Sequence, residues 1–176
     1  MGQRGANAAF MPSKYVFPGG AVDEADYHSA DIPLDPGTHA LLSNDAKPGA
    51  SQALCYAAMR ELREETGLML LPRGNHLRFI FRAITPPGRP RRFDARFFLA
   101  DAIGIETDLD DFSNASDELN HLHWIDLVAA KSLDLPFITE VVLSEVMAIL
   151  KNPDKSADVP FFRHDNGRAH FSLLRA

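Results

Sequence analysis

The segment from Arg60 to Leu68 restricts what this chain can fold into more than any other part of it. It reads Arg-Glu-Leu-Arg-Glu-Glu-Thr-Gly-Leu and places Glu61, Glu64 and Glu65 at positions i, i+3 and i+4, on one face of a helix. Three like charges on one face repel one another unless a cation gathers them, and such a set of oxygen ligands suits Mg²⁺ or Mn²⁺ better than zinc. The segment therefore predicts a helix that carries half of a metal site. A solvated helix face, stabilised by the charge pair at i and i+4, is the alternative for this segment taken alone.

A glycine turn upstream supplies a second segment, Phe17-Pro18-Gly19-Gly20, where two glycines after a proline allow a sharp turn and a close approach to a ligand. Together with residues 60–68 it resembles the Nudix box, which reads glycine, five residues, glutamate, seven residues, then Arg-Glu-apolar-x-Glu-Glu-x-Gly-apolar. The second half matches at every fixed position. The first half has Asp26 in place of the glutamate, and 33 residues rather than seven separate it from Arg60. We place an insertion loop within the box at residues 27–51, a stretch that contains several prolines and glycines.

The coenzyme A diphosphatase-like branch of the Nudix superfamily carries a similar glycine turn, and some of its members interrupt the box in this way. The resemblance implies an α/β chain with the Nudix fold, an α/β/α sandwich around a mixed sheet, with residues 1–176 as a single domain. A strand of the central sheet usually precedes the glycine turn in that fold. Residues 1–5 resemble only the end of such a strand, so we expect the usual N-terminal strand to be missing, or its place to be filled by another strand such as a hairpin in the tail.

The resemblance also implies the chemistry, which is attack of water on a phosphorus of a nucleoside diphosphate linked to another group. Mg²⁺ or Mn²⁺ is the expected cofactor, and the expected ligands are Glu61, Glu64, Glu65 and the backbone carbonyl of Gly19. Arg60 is expected to orient the glutamates through a charge-assisted hydrogen bond rather than to touch the substrate. Members of the family place the general base either on the box helix or on a later loop. Glu61 is the first candidate here, and Glu118 is the second, with an exposed loop acid as the alternative reading of Glu118.

The substrate class depends on arginines outside the box. The rigid turn at residues 85–94 resembles a segment of the coenzyme A-like branch, and its three arginines could hold extra phosphates. The alternative is a solvated turn with those arginines facing Asp94 or Asp101. The branch has a further motif before the glycine turn. Residues 7–14 lack the second arginine and the glycine of that motif, and this departure weighs against coenzyme A itself as the substrate. The residues expected to bind substrate are Arg4, Gly20, Arg89, Arg91 and Arg92.

Three readings of the function remain open at this point. The first is a diphosphatase acting on coenzyme A or an acyl-coenzyme A. The second keeps the same chemistry but acts on dinucleotide cofactors or nucleotide sugars. The third is a Nudix-fold module that binds a nucleotide without cleaving it, although such modules usually lose box glutamates that are all present here.

The amino-acid composition limits the kinds of molecule that the protein is expected to bind. The chain has 24 acidic and 18 basic residues and a net charge of −6, which argues against a general nucleic-acid or membrane-surface binder. Its single cysteine, Cys55, excludes an internal disulfide framework and falls on the apolar side of the box helix, where a packed thiol is expected. No apolar run is long enough to span a membrane, so we expect a cytoplasmic enzyme with a small-molecule substrate. Homodimers are frequent in the family, and the sequence leaves the oligomeric state open.

Periodicity and turn residues predict the remaining elements. We expect strands at 77–84, 92–100 and 119–125, a box helix at 51–66 with Ser51 as its N-cap, a helix at 136–151, and a hairpin around Asn166-Gly167. An apolar run at 68–71 resembles a buried strand, and residues 101–117 read as an acidic loop. His121 and His123 on one face of a strand could form a metal pair, but sheet histidines satisfied by their neighbours are more common.

Overall fold

A mixed four-stranded sheet lies at the centre of the fold, in the order β4-β3-β6-β7, with β3 and β6 parallel and the other two pairs antiparallel. This computed structural model describes residues 1–29, 31–44, 46–72, 77–153, 158–165 and 167–175. Its strands are β1 (Gly2–Arg4), β2 (Tyr15–Val16), β3 (Leu77–Ile84), β4 (Asp94–Ala100), β5 (Leu119–Asn120), β6 (Val159–Asp165) and β7 (Arg168–Leu174). Its α-helices are α1 (Pro36–Ser43), α2 (Ala50–Thr66), α3 (Leu127–Ala130) and α4 (Phe137–Lys151), and short 3₁₀ helices lie at Glu24–His28 and Ala102–Gly104.

Helices cover the central sheet on both faces. On one face, Leu41 and Leu42 of α1 and Cys55 of α2 share a buried cluster with Phe79 and Phe161 of the sheet. On the other face, Val142, Val146 and Ile149 of α4 pack against Ile80, Phe81 and Phe162. β3 is apolar on both faces for this reason, and most of its residues are buried. The predicted α/β/α sandwich around a mixed sheet and the packed thiol of Cys55 are both confirmed.

A smaller antiparallel sheet, in the order β2-β1-β5, lies beside the central one. The N-terminal residues that resemble the end of a strand do form one, β1, which pairs with both neighbours. The predicted strand at 119–125 is wrong beyond Asn120, because His121 adopts a left-handed conformation with φ of 50° and ends the pairing. The two histidines therefore do not share a strand face, and Nδ1 of His123 donates to the carbonyl of His121 at 2.6 Å.

The insertion within the box is not a plain loop, since its middle forms α1. Pro36 stands at the start of this helix, and the side chain of Asp35 accepts a 2.9 Å hydrogen bond from the N–H of Thr38. The insertion is also fixed to the box helix, because the side chain of Gln52 makes two hydrogen bonds to the backbone of Ile32, at 2.8 and 2.9 Å. Proline and glycine indicated the turns correctly but concealed the helix between them. Residues 30 and 45 of the predicted insertion lie outside the described residues.

The box helix begins earlier than predicted. Its N-cap is Gly49, which adopts a left-handed φ of 78°, and Ser51 lies buried in the first turn. A glycine takes this conformation at little steric cost, so the helix starts where the chain turns and not at the first residue with a capping side chain. The prediction that Ser51 is the N-cap is therefore wrong.

Apart from the strand expected at 68–71, the other predicted elements agree with the structure within one or two residues. β4 begins at Asp94 rather than 92, because the N–H of Thr85 bonds to the carbonyl of Phe93 at 2.9 Å and closes the preceding turn. α4 begins after Pro136, and the tail forms the hairpin β6–β7, although Asn166 of its predicted turn lies outside the described residues. Residues 68–71 form an isolated bridge from Leu70 to Ile105 instead of a strand. No helix in the described ranges is long and apolar enough to cross a membrane.

Candidate active site

Glu65 is the most buried of the three box carboxylates, with 2 % of the residue exposed. Its Oε2 accepts a 2.7 Å hydrogen bond from the backbone N–H of Gly19, which joins the glycine turn to the box helix. Burial raises the pKa of Glu65 to about 7; the bond from Gly19 opposes this shift, and the charges of Glu118 and Glu61 add to it. Glu65 therefore lies close enough to Glu61 and Glu118 to be repelled by both.

Glu61 packs against the same glycine turn. A Cβ atom at Gly20 would lie 2.3 Å from Oε1 of Glu61, so the backbone can approach this carboxylate only because position 20 has no side chain. Burial raises the pKa of Glu61, the hydrogen bond from Arg60 opposes the rise, and the charges of Glu64 and Glu118 add to it. Glu64 is more exposed, with 55 % of its side chain accessible. The box helix thus presents one buried carboxylate, Glu65, one partly buried carboxylate, Glu61, and one half-exposed carboxylate, Glu64.

Arg60 holds these groups together. Its Nη1 donates to Oε1 of Glu61 at 2.8 Å and to Oε2 of Glu64 at 3.1 Å, and its Nη2 donates to the carbonyl of Ala21 at 2.9 Å. The opposite edge of the guanidinium forms a two-bond pair with Asp26, at 3.0 and 3.1 Å. Every donor is directed at the protein's own groups. This is the geometry that a role in orienting the glutamates requires, and that role stays a prediction.

Asp26 is 1 % exposed and occupies the acidic position of the first half of the box. Besides the two bonds from Arg60, its Oδ2 accepts a 2.7 Å hydrogen bond from the N–H of Asp23. Burial alone would raise the pKa of Asp26, but the bonds from Arg60 and Asp23 outweigh it, so the pKa lies below its usual value. Sequence reasoning placed Asp26 in the box but gave it no role. The 33-residue separation concealed this ion pair, although the box pattern itself was the signal for it.

Glu118 and Arg4 lie beside the box carboxylates. Arg4 and Leu119 are cross-strand partners, and Nη2 of Arg4 donates to Oε1 of Glu118 at 3.3 Å, with 54 % of the Glu118 side chain exposed. Arg4 and Glu118 both act on Glu65, because the positive charge of Arg4 lowers the pKa of Glu65 and the charge of Glu118 raises it. Nε of Arg4 is buried and has no hydrogen-bond partner among the residues that the structure describes. The loop before Glu118 is anchored to α2, since the N–H of Ser116 donates to the carbonyl of Glu64 at 2.8 Å. The structure thus brings the two alternative base candidates, Glu61 and Glu118, to one site.

The arginine turn lies at a different place. Arg89, Arg91 and Arg92 are exposed, and in the described part of the chain none of the three forms an ion pair. Asp94 pairs instead with Arg82 and Arg96, so the alternative in which the turn arginines face Asp94 is wrong. The ring of Phe93 packs on the ring of Phe10 at a centroid distance of 4.9 Å, which joins the turn to the loop that follows Arg4. No contact among the described residues joins these three arginines to the box carboxylates.

The donor set of the box fits a hard divalent cation. Within the described ranges, no three His, Cys, Asp or Glu side chains are grouped closely enough to hold an ion. The guanidinium of Arg60 and the N–H of Gly19 hydrogen-bond to the box carboxylates in this conformation. The candidate ligands are nevertheless all oxygen atoms. Burial is the main cause of the raised pKa values of Glu61 and Glu65, and repulsion from neighbouring carboxylates, which a bound cation would relieve, adds to it.

Two known proteins are similar to this chain, one in sequence and one in structure. The chain is 33 % identical over 112 residues to the acyl-coenzyme A diphosphatase NUDT19 of Gallus gallus, a match over 51 % of this chain and 26 % of that protein. The chain thus spans about a quarter of the length of this curated relative. A Nudix hydrolase from Alicyclobacillus acidocaldarius superposes with a TM-score of 0.51 and 22 % identity, over 84 % of this chain and 82 % of that one. No family model matches the sequence. The chain has the Nudix fold, and these similarities confirm its resemblance to the Nudix hydrolase superfamily and to the coenzyme A diphosphatase-like branch.

Proposed function

We propose that this chain is a Nudix-type hydrolase that uses a divalent cation to cleave the diphosphate linkage of a nucleoside diphosphate conjugate. One observation carries the proposal. On one helix face, the buried Glu65 and the partly buried Glu61 lie against a glycine turn and have raised pKa values, and the more exposed Glu64 is close enough for its charge to act on Glu61. A fold needs no such group for its stability, since buried like charges destabilise the chain that carries them. The similarity to an acyl-coenzyme A diphosphatase supports the same conclusion.

Each residue of the site has its own role in this proposal. Glu61, Glu64, Glu65 and the carbonyl of Gly19 would hold Mg²⁺ or Mn²⁺, which when bound neutralises the charge of the diphosphate and lowers the pKa of water. Arg60 and its buried partner Asp26 fix the direction of the glutamate side chains. Gly20 keeps the backbone close to Glu61.

A carboxylate must remove the proton from the attacking water, and two candidates lie at the site. Glu61 is partly buried and its pKa is raised, which makes it a stronger base than an ordinary carboxylate. Glu118 is half exposed and is held by Arg4 through a single 3.3 Å contact, so it can turn toward a water molecule at little cost. We assign the role of general base to Glu61 first. If the assignment is correct, Glu61→Gln removes the acidic limb of the pH–rate profile, along which activity rises as the base loses its proton, and Glu118→Gln leaves that limb in place.

Coenzyme A or an acyl-coenzyme A is the substrate that we propose. The relative named above supports this choice, as does the group of exposed arginines next to the loop that follows Arg4. Arg89, Arg91 and Arg92 would contact a phosphate beyond the scissile linkage, and Arg4 has donors that can reach the diphosphate. Dinucleotide cofactors and nucleotide sugars are the alternative substrates. A module that only binds a nucleotide is the alternative function.

Hydrolysis of a panel of compounds in Mg²⁺ or Mn²⁺ tests the proposal, with products identified by mass. The panel contains coenzyme A, acyl-coenzyme A, NADH, ADP-ribose, a nucleotide sugar and a dinucleoside polyphosphate. Glu65→Gln is expected to abolish turnover because it removes the buried carboxylate from the box. Glu140→Gln is the matched control, since it makes the same chemical change in the first turn of α4. Binding of one compound without turnover, equal in the wild type and in Glu65→Gln, would instead assign the chain as a binding module.

A further inference from the structure

Two arginines on the central sheet form a cluster that the box does not use. Arg82 of β3 and Arg96 of β4 are cross-strand partners, so their side chains lie next to each other on one face of the sheet. Arg82 forms a two-bond pair with Asp94 at 3.0 and 2.9 Å, and Nη1 of Arg96 also contacts that carboxylate at 2.9 Å. Two guanidinium groups therefore share one carboxylate.

This cluster has too little negative charge for its degree of burial. Only 5 % of the Arg82 side chain and 10 % of the Arg96 side chain are exposed, and Asp94 is the acid that pairs with them in the described part of the chain. Among the described residues, one positive charge has no counter-ion at a position where little water reaches it, an arrangement that normally costs stability. Burial lowers the pKa of Arg96, and the positive charge of Arg82 adds to that effect, although Asp94 opposes it. An added anion would relieve this imbalance.

The insertion within the box forms one side of the cluster. Nη1 of Arg82 donates to the carbonyl of Asn44, the C-cap of α1, at 3.5 Å. The carbonyl at the end of α1 therefore contacts the same guanidinium that pairs with Asp94.

We propose that Arg82 and Arg96 bind a phosphate group at a site separate from the box carboxylates. A guanidinium binds phosphate through two parallel N–H donors, and Nε and Nη2 of Arg96 make no hydrogen bond within the described ranges. The phosphate is either a group of the substrate that lies away from the scissile linkage or free phosphate. The first of these sources rests on the proposed function, whereas binding itself does not.

Thermal unfolding in EDTA tests the binding step, because removal of divalent cations separates it from the box. Inorganic phosphate is added at constant ionic strength, with NaCl as the balancing salt. At ten times its Kd, phosphate is expected to raise the Tm of the wild type by about 3–5 °C. Arg96→Met is expected to lose this shift. Arg168→Met is the matched control, since it removes an exposed arginine from the edge strand β7 and should keep the shift.

For Asp94→Asn we expect the opposite effect on the phosphate-induced shift in Tm. This variant therefore distinguishes a phosphate site from a purely structural ion-pair cluster. Without the carboxylate, both arginines depend on the added anion, so the shift in Tm should be larger than in the wild type. A wild type that does not respond to phosphate, or an Arg96→Met variant that keeps the response, overturns the inference. If Arg96→Met does not fold, Arg96→Lys tests the inference instead. Lysine keeps the positive charge but lacks the planar pair of N–H donors, so this variant should bind phosphate about tenfold more weakly.

Steady-state kinetics identify the source of the phosphate. Arg96→Lys should raise KM for coenzyme A but not for dephospho-coenzyme A if the site binds the additional phosphate of the substrate. Equal KM effects on both compounds, together with a retained phosphate response in the wild type, assign the site to free phosphate. Hydrolysis without any phosphate response refutes this inference alone, and a phosphate response without hydrolysis refutes the proposed function alone.

Discussion

Replacing Asp26 with asparagine tests whether the buried ion pair across the insertion holds the box together. Asp26 is 1 % exposed and accepts two bonds from Arg60 and one from the N–H of Asp23. Breaking a buried ion pair by removing one partner costs about 3–5 kcal/mol. Arg60 keeps its bonds to Glu61, Glu64 and a backbone carbonyl, and asparagine can still accept one bond, so the lower end of that range applies. We expect Asp26→Asn to lower the free energy of unfolding by about 3 kcal/mol.

Urea denaturation at pH 7 measures this difference, with Asp23→Asn as the control. Asp23 faces the same guanidinium at 3.7 Å but is 68 % exposed, so its loss should cost less than about 1 kcal/mol. The affinity for Mg²⁺ should also fall about 10–100-fold in Asp26→Asn, because Arg60 then loses the group that fixes its orientation. Equal destabilisation by the two substitutions would refute the reasoning, since burial could not then be what makes Asp26 different.

Three further predictions concern the site and its supporting loop. Gly20→Ala would place a Cβ 2.3 Å from Oε1 of Glu61, and the Glu61 side chain can move away from it. We therefore expect the free energy of unfolding to fall by less than about 1 kcal/mol and turnover to fall at least tenfold, as measured by parallel denaturation and activity assays. The pKa of Glu65 is raised to about 7, so the metal-free protein loses stability as pH rises from about 5 to 8, by up to about 3 kcal/mol, and Glu65→Gln should remove this loss from the Tm–pH curve. Trp124→Phe deletes the 2.7 Å bond from the indole N–H to the carbonyl of Leu109 and should cost about 1 kcal/mol in urea denaturation.

Local chemistry was sufficient to predict the box helix and the groups on its face. The spacing of Glu61, Glu64 and Glu65 fixes their common direction in any helix, because side chains at i, i+3 and i+4 always share a face. The tail hairpin, the strand at 77–84 and the apolar side of α4 follow equally from local periodicity and turn residues. Each of these features depends on residues close together in the chain, so the sequence alone determines them.

Contacts between distant residues decided the remaining features. The pairing of Asp26 with Arg60 and the meeting of Arg4 with Glu118 required the sheet and the insertion to be in place first. The same holds for the cluster of Arg82, Arg96 and Asp94, which arises from strand register. A spacing along the chain does not specify which distant groups become neighbours, or how far burial shifts their pKa values. The sequence therefore determined which groups the protein carries, and the tertiary structure decided which of them act together, because burial and ion pairing depend on distances that only the folded chain sets.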